Sequence, residues 1–361
     1  MRVVQLLPTL SFGDGVGNDA IALKEIIGKM GYSTDIYAEN IDKRLPEGTA
    51  IKADKLCDLK KDDVLIYHKS TGTDLSFKID SYKCRRVMIY HNITPPDFFR
   101  PYSPSATQLT EYGYKGVEYL RDKMDYVLAV SEYNKSELIR MGYTCRIDIS
   151  PSLTKFEDYE QAPDEATMKK YKDGKKNIIF VGRIAPNKRQ ENVIRAYACY
   201  RKLNPDSRLI LVGSANGMEN YNERLVKYVN ALGLSDDVIF TGHIKFSEIL
   251  AYYHIADAFL CMSEHEGLCV PLVESMFFGV PIIAYNTSAI GETLGGSGIL
   301  LDDNDPVFTA AVMDRLLTDD KLRESVIEGQ RKRLEYFSYE RLSNIFETKL
   351  QAFIDGKTAA L

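Results

Sequence analysis

Short apolar segments alternate with amphipathic segments along most of the chain. The apolar residues 3–7 predict a first β-strand, and apolar positions between residues 21 and 30 then recur at helical spacing up to Gly31. Further strands are predicted at residues 35–38, 64–67, 87–90, 126–130 and 147–149, with helices near 107–124 and 133–141. Strands that alternate with helices form parallel sheets covered on both faces, so the first half of the chain predicts an α/β domain.

A second series of strands follows a polar and charged stretch at residues 155–176, which shows no strand pattern and is predicted to link two domains. These strands are predicted at residues 177–181, 208–212, 237–241, 258–262, 281–285 and 298–301. We therefore predict an α/β chain with two Rossmann-like, doubly wound parallel-sheet domains that face each other across a cleft. The first domain is expected at residues 1–160 and the second at 161–337, and a helical tail at about 338–361 is expected to pack back on the first.

Composition narrows the class of protein. At 361 residues, with 45% hydrophobic and 27% charged residues, the chain is typical of a soluble globular protein with more than one core. The 46 Lys and Arg residues against 51 Asp and Glu residues give a net charge of −5, which argues against a nucleic-acid-binding protein. No apolar run approaches the ~18 residues needed to cross a bilayer, and the first residues predict a strand rather than a signal peptide. Six cysteines without a CxxC pair indicate buried thiols, so we predict a cytoplasmic protein.

The segment from Ser263 to Pro281 carries the strongest chemical signal. Glu266 lies in a loop just outside a helix that is predicted to begin with Pro271 and to stop at Gly279, and Glu274 lies one turn inside that helix. Backbone N–H groups at the start of the helix favour an anion. A carboxylate on each side of an anion site suits a nucleotide sugar, with one glutamate for the sugar hydroxyls and the other for the ribose. Spacing alone leaves open the alternative that both glutamates cap a surface helix.

A second signal lies at the end of the strand at residues 177–181. Gly182 predicts a turn, and Arg183 and Lys188 follow it beside the next predicted helix. Two cations at this place would neutralise a diphosphate without a metal. A solvated basic turn is the alternative, but two anion sites in one domain, both at the carboxyl ends of parallel strands, favour the functional interpretation.

The first domain carries weaker signals. Gly15-Val16-Gly17 follows the first strand but lacks the third glycine of a dinucleotide fingerprint, so it predicts either a phosphate or sugar approach or a tight packing turn. His91 ends a buried strand and precedes a proline-rich loop that reaches about Thr107 and can act as a lid. His68 ends the strand before it, and each histidine alone is also a common structural hydrogen-bonding residue.

Metal binding is not predicted. The segment Asp303-Asn304-Asp305 looks like an Asp-x-Asp metal motif, but Asp305 as a helix N-cap followed by Pro306 explains it more simply. We find no cluster of histidine, cysteine or carboxylate residues at metal-ligand spacing.

Together these segments resemble the retaining GT-B glycosyltransferases of family 4. The resemblance rests on the E-x7-E element from Glu266 to Glu274, on Gly182-Arg183 with Lys188, and on Val212-Gly213. In the first domain, the segments at residues 13–18, 90–95 and 130–134 resemble a bacterial branch that acts in surface-polysaccharide assembly. The chain departs from the common pattern in its glycine-rich loop and at Cys269, a position that is frequently glycine in the family.

The resemblance implies a role for each matched residue. Arg183 and Lys188 would hold the donor diphosphate and stabilise the leaving nucleotide in place of a metal. His91 would face the transferred sugar near its anomeric carbon, and Gly15 would approach the phosphate or the acceptor. The remaining donor contacts are implied at Gly182, Gly213, Glu266, Gly267, Leu268, Cys269, Val270 and Glu274, of which Glu266 would contact the sugar and Glu274 the ribose.

The resemblance also implies an activity. We expect an enzyme that transfers a hexose from GDP-mannose or a UDP-hexose to a hydroxyl group of a surface glycan or a lipid-linked saccharide, with no cofactor besides the nucleotide sugar. With a lipid-linked acceptor, the basic residues 83–86 are a candidate for weak membrane contact, although a solvated turn explains them more simply. A UDP-sugar epimerase, a phosphorolytic enzyme and a non-catalytic sugar-nucleotide-binding subunit remain alternatives.

Overall fold

The structure, a computed structural model, describes residues 1–11 and 13–357. Phe12 of the glycine-rich loop and the predicted end of the C-terminal helix, residues 358–361, lie outside the described residues. The chain divides into two compact units. The first unit comprises Met1–Pro96, Thr107–Lys155 and the C-terminal residues from Phe337, and the second comprises Asp97–Ala106 and Phe156–Tyr336.

The first unit is built on a seven-stranded parallel sheet with the strand order β3-β2-β1-β4-β5-β6-β7. Its strands are β1 Val3–Leu10, β2 Ile36–Ile41, β3 Ile51–Lys52, β4 Val64–Lys69, β5 Arg85–Tyr90, β6 Tyr126–Ala129 and β7 Ile147–Ile149, and its first helices are α1 Gly15–Lys29, α2 Pro104–Leu120 and α3 Glu132–Arg140. Six of these strands lie where the apolar runs predicted them. The short β3 has no apolar pattern because both of its residues are exposed.

The second unit contains a six-stranded parallel sheet with the order β10-β9-β8-β11-β12-β13. Its elements are α4 Glu165–Tyr171, β8 Lys176–Val181, α5 Gln190–Leu203, β9 Ser207–Val212, α6 Glu219–Ala231, β10 Val238–Phe240, α7 Phe246–Ile255, β11 Ala258–Cys261, α8 Val270–Phe277, β12 Ile282–Tyr285, α9 Ile290–Leu294, β13 Ile299–Leu301, α10 Pro306–Thr318 and α11 Asp320–Leu334. The prediction of two doubly wound parallel-sheet domains is confirmed. All six strands run in the same direction, so the loops that follow β8, β9 and β11 lie at one edge of the sheet.

Residues 97–106, which the sequence placed in a lid loop of the first domain, belong to the second unit. Phe99 is buried in the core of this unit. The ring of Tyr102 lies edge-on against Tyr221 at a centroid distance of 5.0 Å, and the side-chain amide of Asn220 donates to the Tyr102 carbonyl. Aromatic packing therefore holds this segment, because each of its large rings has a partner in the second unit.

The helical pattern of the C-terminal region is interrupted. A last helix, α12 Tyr339–Ile354, begins after a break and belongs to the first unit. Phe353 stacks on Tyr126 at 5.4 Å, and the Arg85 guanidinium lies 4.3 Å from the centre of the Phe353 ring while donating to the carbonyls of Phe353 and Ile354. Arg85 therefore holds α12 in place. Because its guanidinium is engaged in these contacts, Arg85 does not contribute to the candidate membrane contact of the basic segment 83–86. Among the described residues, no helix combines the length and the apolar character required to span a bilayer.

Candidate active site

The loops after β8 and β11 are joined by hydrogen bonds at the carboxyl edge of the second sheet. The side-chain amide of Asn187 donates to the His265 carbonyl at 3.0 Å, and the backbone N–H of Glu264 donates to the Asn187 carbonyl at 2.9 Å. These bonds place the two chemical segments that the sequence singled out side by side, although they are about 80 residues apart along the chain.

Lys188 and Glu266 form the closest ion pair of this loop cluster. The Lys188 Nζ lies 2.6 Å from both carboxylate oxygens of Glu266. Their side chains are 21% and 7% exposed. Burial lowers the pKa of Lys188, but the charge of Glu266 and its hydrogen bonds outweigh burial, so the pKa lies above its ordinary value. The lysine is therefore charged, and a ligand that reaches it meets a cation and a carboxylate together.

The loop that carries Glu266 is anchored by residues that the sequence did not identify. The N–H of Glu266 donates to the Ser288 hydroxyl at 2.9 Å, and the Thr287 hydroxyl donates to the Ser263 carbonyl at 2.6 Å. The Thr293 hydroxyl donates to the Leu268 carbonyl. Because hydroxyl groups after β12 hold both ends of this loop, the position of Glu266 depends on a third segment.

The helix α8 begins one residue earlier than predicted, with Val270 first and Pro271 second. Its N-cap, Cys269, has a φ of 62° and makes no side-chain capping bond. This left-handed backbone explains why glycine suits the position, since a side chain is strained there. The positive end of the helix dipole lies at this loop and favours an anion, although Pro271 has no N–H and the Leu272 N–H donates to the Cys269 carbonyl at 3.0 Å.

Glu274 is held by two tyrosines rather than at a surface cap. Its carboxylate accepts a hydrogen bond from the Tyr159 hydroxyl at 2.8 Å and one from the Tyr253 hydroxyl at 2.5 Å. Burial raises the pKa of Glu274, and the tyrosine hydrogen bonds lower it in part. The sequence missed both tyrosines: Tyr159 lies in the predicted linker, which instead folds into a short helical turn and α4.

Gly182 and Gly213 bring the loops after β8 and β9 into direct contact. Both have a φ of 149°, and a Cβ on Gly213 would lie 2.1 Å from the Gly182 carbonyl oxygen. The N–H of Gly182 donates to the Val212 carbonyl. Arg183 follows at an exposed position. Gly213 is therefore required by the close approach of the Gly182 carbonyl, and the positive φ of Gly182 favours glycine where the chain leaves β8.

Arg189 is a third cation at this edge that the sequence did not identify. It has a φ of 48°, which turns the chain into α5, and its guanidinium lies 2.7 Å from Glu264 and 5.4 Å from the centre of the Phe98 ring. Because its guanidinium forms an ion pair with Glu264, Arg189 holds the loop after β11 against the start of α5.

His91 and His68 meet in the first unit. His68 Nδ1 and His91 Nε2 are 2.9 Å apart, and Asp19 Oδ2 lies 4.0 Å from His91 Nε2. Burial lowers the pKa of His91 to about 3 and that of His68 well below its ordinary range, with a smaller effect of His91 on His68. Burial raises the pKa of Asp19 to about 7, and the Leu153 N–H that it accepts lowers it in part.

These three side chains also form a cluster that spacing could not reveal. The potential ligand atoms of Asp19, His68 and His91 lie within 4.8 Å of one another. The statement that the sequence holds no metal-type cluster is therefore corrected for the folded chain, because β1, β4 and β5 bring distant residues together.

The glycine-rich loop divides its roles between two residues. Gly15 begins α1, and a Cβ added there would meet no atom within 4 Å. A Cβ on Gly17 would lie 2.8 Å from the Ser11 carbonyl oxygen, so packing requires this glycine.

Asp305 is the N-cap of α10, and its side chain accepts a hydrogen bond from the Phe308 N–H at 2.7 Å. This contact confirms the capping interpretation of residues 303–305.

The fold of the chain is similar to that of solved GT-B glycosyltransferase structures. The chain is similar to sucrose-phosphate synthase from Thermosynechococcus elongatus, with a TM-score of 0.75 and 16% identity over 99% of this chain and 100% of that one. It is also similar to Anabaena HepE in complex with UDP-glucose, with a TM-score of 0.72 and 16% identity over 98% of this chain and 100% of that one. The fold is therefore that of the GT-B class.

Sequence comparison finds a family model and several curated relatives that match part of the chain. Residues 164–333 match the family model for Glycosyl transferases group 1. The putative glycosyltransferase YtcC of Bacillus subtilis is 28% identical over 65% of this chain and 62% of its own length. The O-antigen chain mannosyltransferase B of Escherichia coli is 24% identical over 71% of this chain and 67% of its own. The match to D-inositol 3-phosphate glycosyltransferase of Salinispora tropica, 31% identical, spans 45% of this chain and 36% of that protein.

Proposed function

We propose that this protein is a retaining glycosyltransferase of family 4 that transfers a hexose from a nucleotide diphosphate sugar to an acceptor hydroxyl. The observation that carries the proposal is the pairing of Lys188 with Glu266 at 2.6 Å, next to the N-terminus of α8. A cation, a carboxylate and a helix N-terminus match the three parts of such a donor: phosphate charge, sugar hydroxyls and a second phosphate.

The donor diphosphate is assigned to Arg183, Lys188 and the amide groups before α8. The reaction breaks the bond between the anomeric carbon and the leaving phosphate oxygen, so negative charge grows on the diphosphate. Cations and oriented N–H groups that already point at this place stabilise that charge without reorganising. Lys188 and Arg183 thereby supply positive charge that a metal would otherwise provide.

The donor sugar and ribose are assigned to the two glutamates. Glu266, together with the N–H groups of Gly267, Leu268 and Cys269, contacts the sugar. Glu274 binds the ribose, since each carboxylate oxygen keeps a further lone pair beyond its tyrosine bond. Gly182, Gly213 and Val270 allow the backbone to approach the nucleotide. His91 contacts the transferred sugar, and Gly15 is open to a phosphate or to the acceptor.

The chemical step requires no protein nucleophile. The acceptor hydroxyl oxygen attacks the anomeric carbon from the face that the nucleotide leaves, and its proton passes to the departing phosphate oxygen. The products are a glycoside with retained configuration and a nucleoside diphosphate. The protein contributes by orienting both substrates and by excluding water.

The acceptor is assigned to a hollow of about 500 Å³ in the first unit, at the carboxyl ends of β1, β2 and β4. Its lining carries hydroxyl, amide and carboxylate groups, from Thr9, Glu39, Asn40, Thr71, Thr73, Asp74 and Tyr112. Such groups suit a saccharide, and relatives that act on O-antigen chains or phosphatidylinositol mannosides support a glycan or lipid-linked acceptor. With a lipid-linked acceptor, the protein would act as a peripheral protein at the cytoplasmic face of the membrane.

A two-stage experiment tests the proposal. Thermal shift with GDP, UDP, GDP-mannose and UDP-glucose identifies the donor, because a tight ligand raises the melting temperature by mass action. The selected donor is then incubated with saccharide acceptors, and NMR of the product determines its anomeric configuration. An inverted product would contradict retention. An isomerised sugar formed from the donor alone would indicate an epimerase, and binding without transfer would indicate a non-catalytic subunit.

A further inference from the structure

A chain of three buried side chains ends at His91. The side-chain nitrogen of Gln5 donates to the Ala20 carbonyl of α1 at 2.9 Å. The Gln5 Oε1 lies 2.8 Å from His68 Nε2, and His68 Nδ1 lies 2.9 Å from His91 Nε2. Gln5 and His68 are fully buried, so each of these polar atoms depends on its partner in the chain.

The Ala20 carbonyl fixes the direction of every bond in this chain. A carbonyl oxygen can only accept, so the Gln5 amide must turn its NH2 group towards Ala20 and its oxygen towards His68. His68 therefore carries its proton on Nε2 and a lone pair on Nδ1. His91 must then donate from Nε2, which leaves the lone pair of its own ring on Nδ1.

The geometry of the two rings agrees with a hydrogen bond. Their planes differ by 13°, and their centroids are 5.1 Å apart, nearly the 2.9 Å nitrogen separation plus the distance from each nitrogen to its ring centre. The rings of His68 and His91 therefore lie edge to edge, with the lone pair of one aimed along the N–H of the other. Two ligands of a shared metal ion would instead aim their lone pairs at a common third point, so the arrangement favours the hydrogen bond over a cation at this cluster.

We propose that Gln5 and His68 are positioning residues that hold neutral His91 in the Nε2–H tautomer, so that its Nδ1 accepts a hydrogen bond from a hydroxyl group of the sugar substrate. The contact with the sugar rests on the proposed function, whereas the tautomer follows from the hydrogen bonds alone. Burial, which lowers the pKa of both histidines, keeps the two rings neutral so that this assignment holds.

The tautomer is measured directly by NMR. The full chain is labelled with ¹⁵N-histidine, and long-range ¹H–¹⁵N spectra are assigned by comparison with the His68→Gln and His91→Gln variants. The chain has five histidines, which keeps the assignment tractable. We expect the neutral Nε2–H pattern for both residues near neutral pH. A neutral Nδ1–H pattern or a charged ring at His91 would overturn the proposal, and the wild-type spectrum alone decides this point.

Variants of Gln5 test the positioning role. Gln5→Met removes the acceptor for His68 with little change in size, and we expect mixed tautomers at His91 and a kcat that falls about tenfold, with little change in KM, roughly the effect of one hydrogen bond. Gln5→Glu in its protonated form donates to the Ala20 carbonyl and accepts from His68, so this variant is expected to restore the Nε2–H tautomer and most of kcat. An unchanged tautomer and kcat in Gln5→Met would contradict the role of Gln5.

The two levels of the proposal can fail separately. If no nucleotide sugar is transferred but His91 shows the Nε2–H pattern, the proposed function fails and the tautomer assignment stands. If transfer occurs but His91 shows the Nδ1–H pattern, this inference fails and the proposed function stands. His254→Gln, on α7 of the second unit, is the control variant and is expected to leave kcat and the spectra of His68 and His91 unchanged.

Discussion

The ammonium nitrogen of Lys188 lies at 2.6 Å from each carboxylate oxygen of Glu266, so one group neutralises the other until a ligand arrives. A diphosphate that binds at Lys188 competes with Glu266 for the same positive charge. A sugar hydroxyl that donates a hydrogen bond to Glu266 replaces the interaction with Lys188 that the carboxylate loses. In the proposed function the pair therefore couples recognition of the two halves of the nucleotide sugar, because neither partner can be engaged without affecting the other.

Removing either member of this pair should abolish most of the activity. We expect Lys188→Met and Glu266→Gln each to lower kcat by about 10²- to 10³-fold, the usual effect of losing one oriented group that stabilises transition-state charge. The double variant should lose little more than the worse single variant, because residues that act as a unit are not additive. Steady-state kinetics with the identified donor provide the measurement.

A matched control lies at the other end of the same strand. Lys176 begins β8 and pairs with Asp257 at 2.9 Å, at the edge of the sheet opposite the candidate site. Lys176→Met should leave kcat within about twofold of the wild type, since exposed ion pairs contribute little. Near-normal transfer by Lys188→Met or Glu266→Gln would show that the donor site has been placed wrongly.

Glu274 should matter more for nucleotide affinity than for turnover. Replacing it by Gln leaves a single acceptor oxygen for two tyrosines and the ribose, so we expect the affinity for the nucleoside diphosphate to fall about tenfold. Tyr159→Phe and Tyr253→Phe, which each remove one hydrogen bond that orients the carboxylate, should have smaller effects. Isothermal titration calorimetry measures these affinities.

The control for the tyrosine variants is Tyr200→Phe on α5, which removes a buried hydroxyl that accepts from the side-chain amide of Asn204, the C-cap of that helix. It is expected to change stability but not nucleotide affinity. If Glu274→Gln lowered the melting temperature and left affinity unchanged, the carboxylate would be a structural partner of the two tyrosines and not a ribose ligand.

The alternation of strands and helices was readable from the sequence because buried parallel strands are continuous apolar runs bounded by turn residues. Lys188 and Glu266 were each identified from local spacing. Their pairing was not, since it depends on the order β8-β11 in the sheet, which brings together residues 78 positions apart. Tyr159 was missed because a polar segment without periodicity carries no sign that one of its residues is buried.

The absence of a local signal for burial also explains why the segment at residues 97–106 was assigned to the first domain rather than to the second. Its prolines and aromatic residues are typical of a loop, and local pattern does not reveal that Phe99 enters a core formed by residues far along the chain. Likewise, the link from Gln5 to His91 crosses three strands. Local pattern predicts elements, whereas contacts between them follow from sheet order.

Two glycines of the first loop should respond differently to alanine. Gly17→Ala would place a Cβ 2.8 Å from a backbone oxygen, so we expect a clear loss of melting temperature. Gly15→Ala meets open space at the start of α1, so we expect an unchanged or higher melting temperature, together with weaker transfer if a ligand approaches this backbone. Thermal melting and kinetics on both variants provide the comparison. Full activity in a stable Gly15→Ala variant would leave the loop with a packing role alone.

Asp19 should make the stability of the first unit dependent on pH. Burial raises its pKa from 3.8 to about 7, so between these values the folded state binds more protons than the unfolded state. Stability from this group is therefore lost as pH rises through that window, by at most about 4 kcal/mol. Asp19→Asn keeps an acceptor for the Leu153 N–H and removes the ionisation. We expect its melting temperature to exceed that of the wild type by more at about pH 8 than at about pH 5.

The burial of His91 acts in the opposite direction, because its pKa is lowered to about 3 and its contribution to stability grows as pH rises towards its ordinary value of 6.5. The comparison of Asp19→Asn with the wild type largely cancels this contribution, since His91 is present in both proteins. Asp305→Asn, which keeps a favourable residue at an exposed helix N-cap, serves as the control and should shift the melting temperature equally at both pH values. An advantage of Asp19→Asn that is equal at both pH values, or larger in acid, would mean that Asp19 is ionised throughout and that its carboxylate is paired in the folded chain.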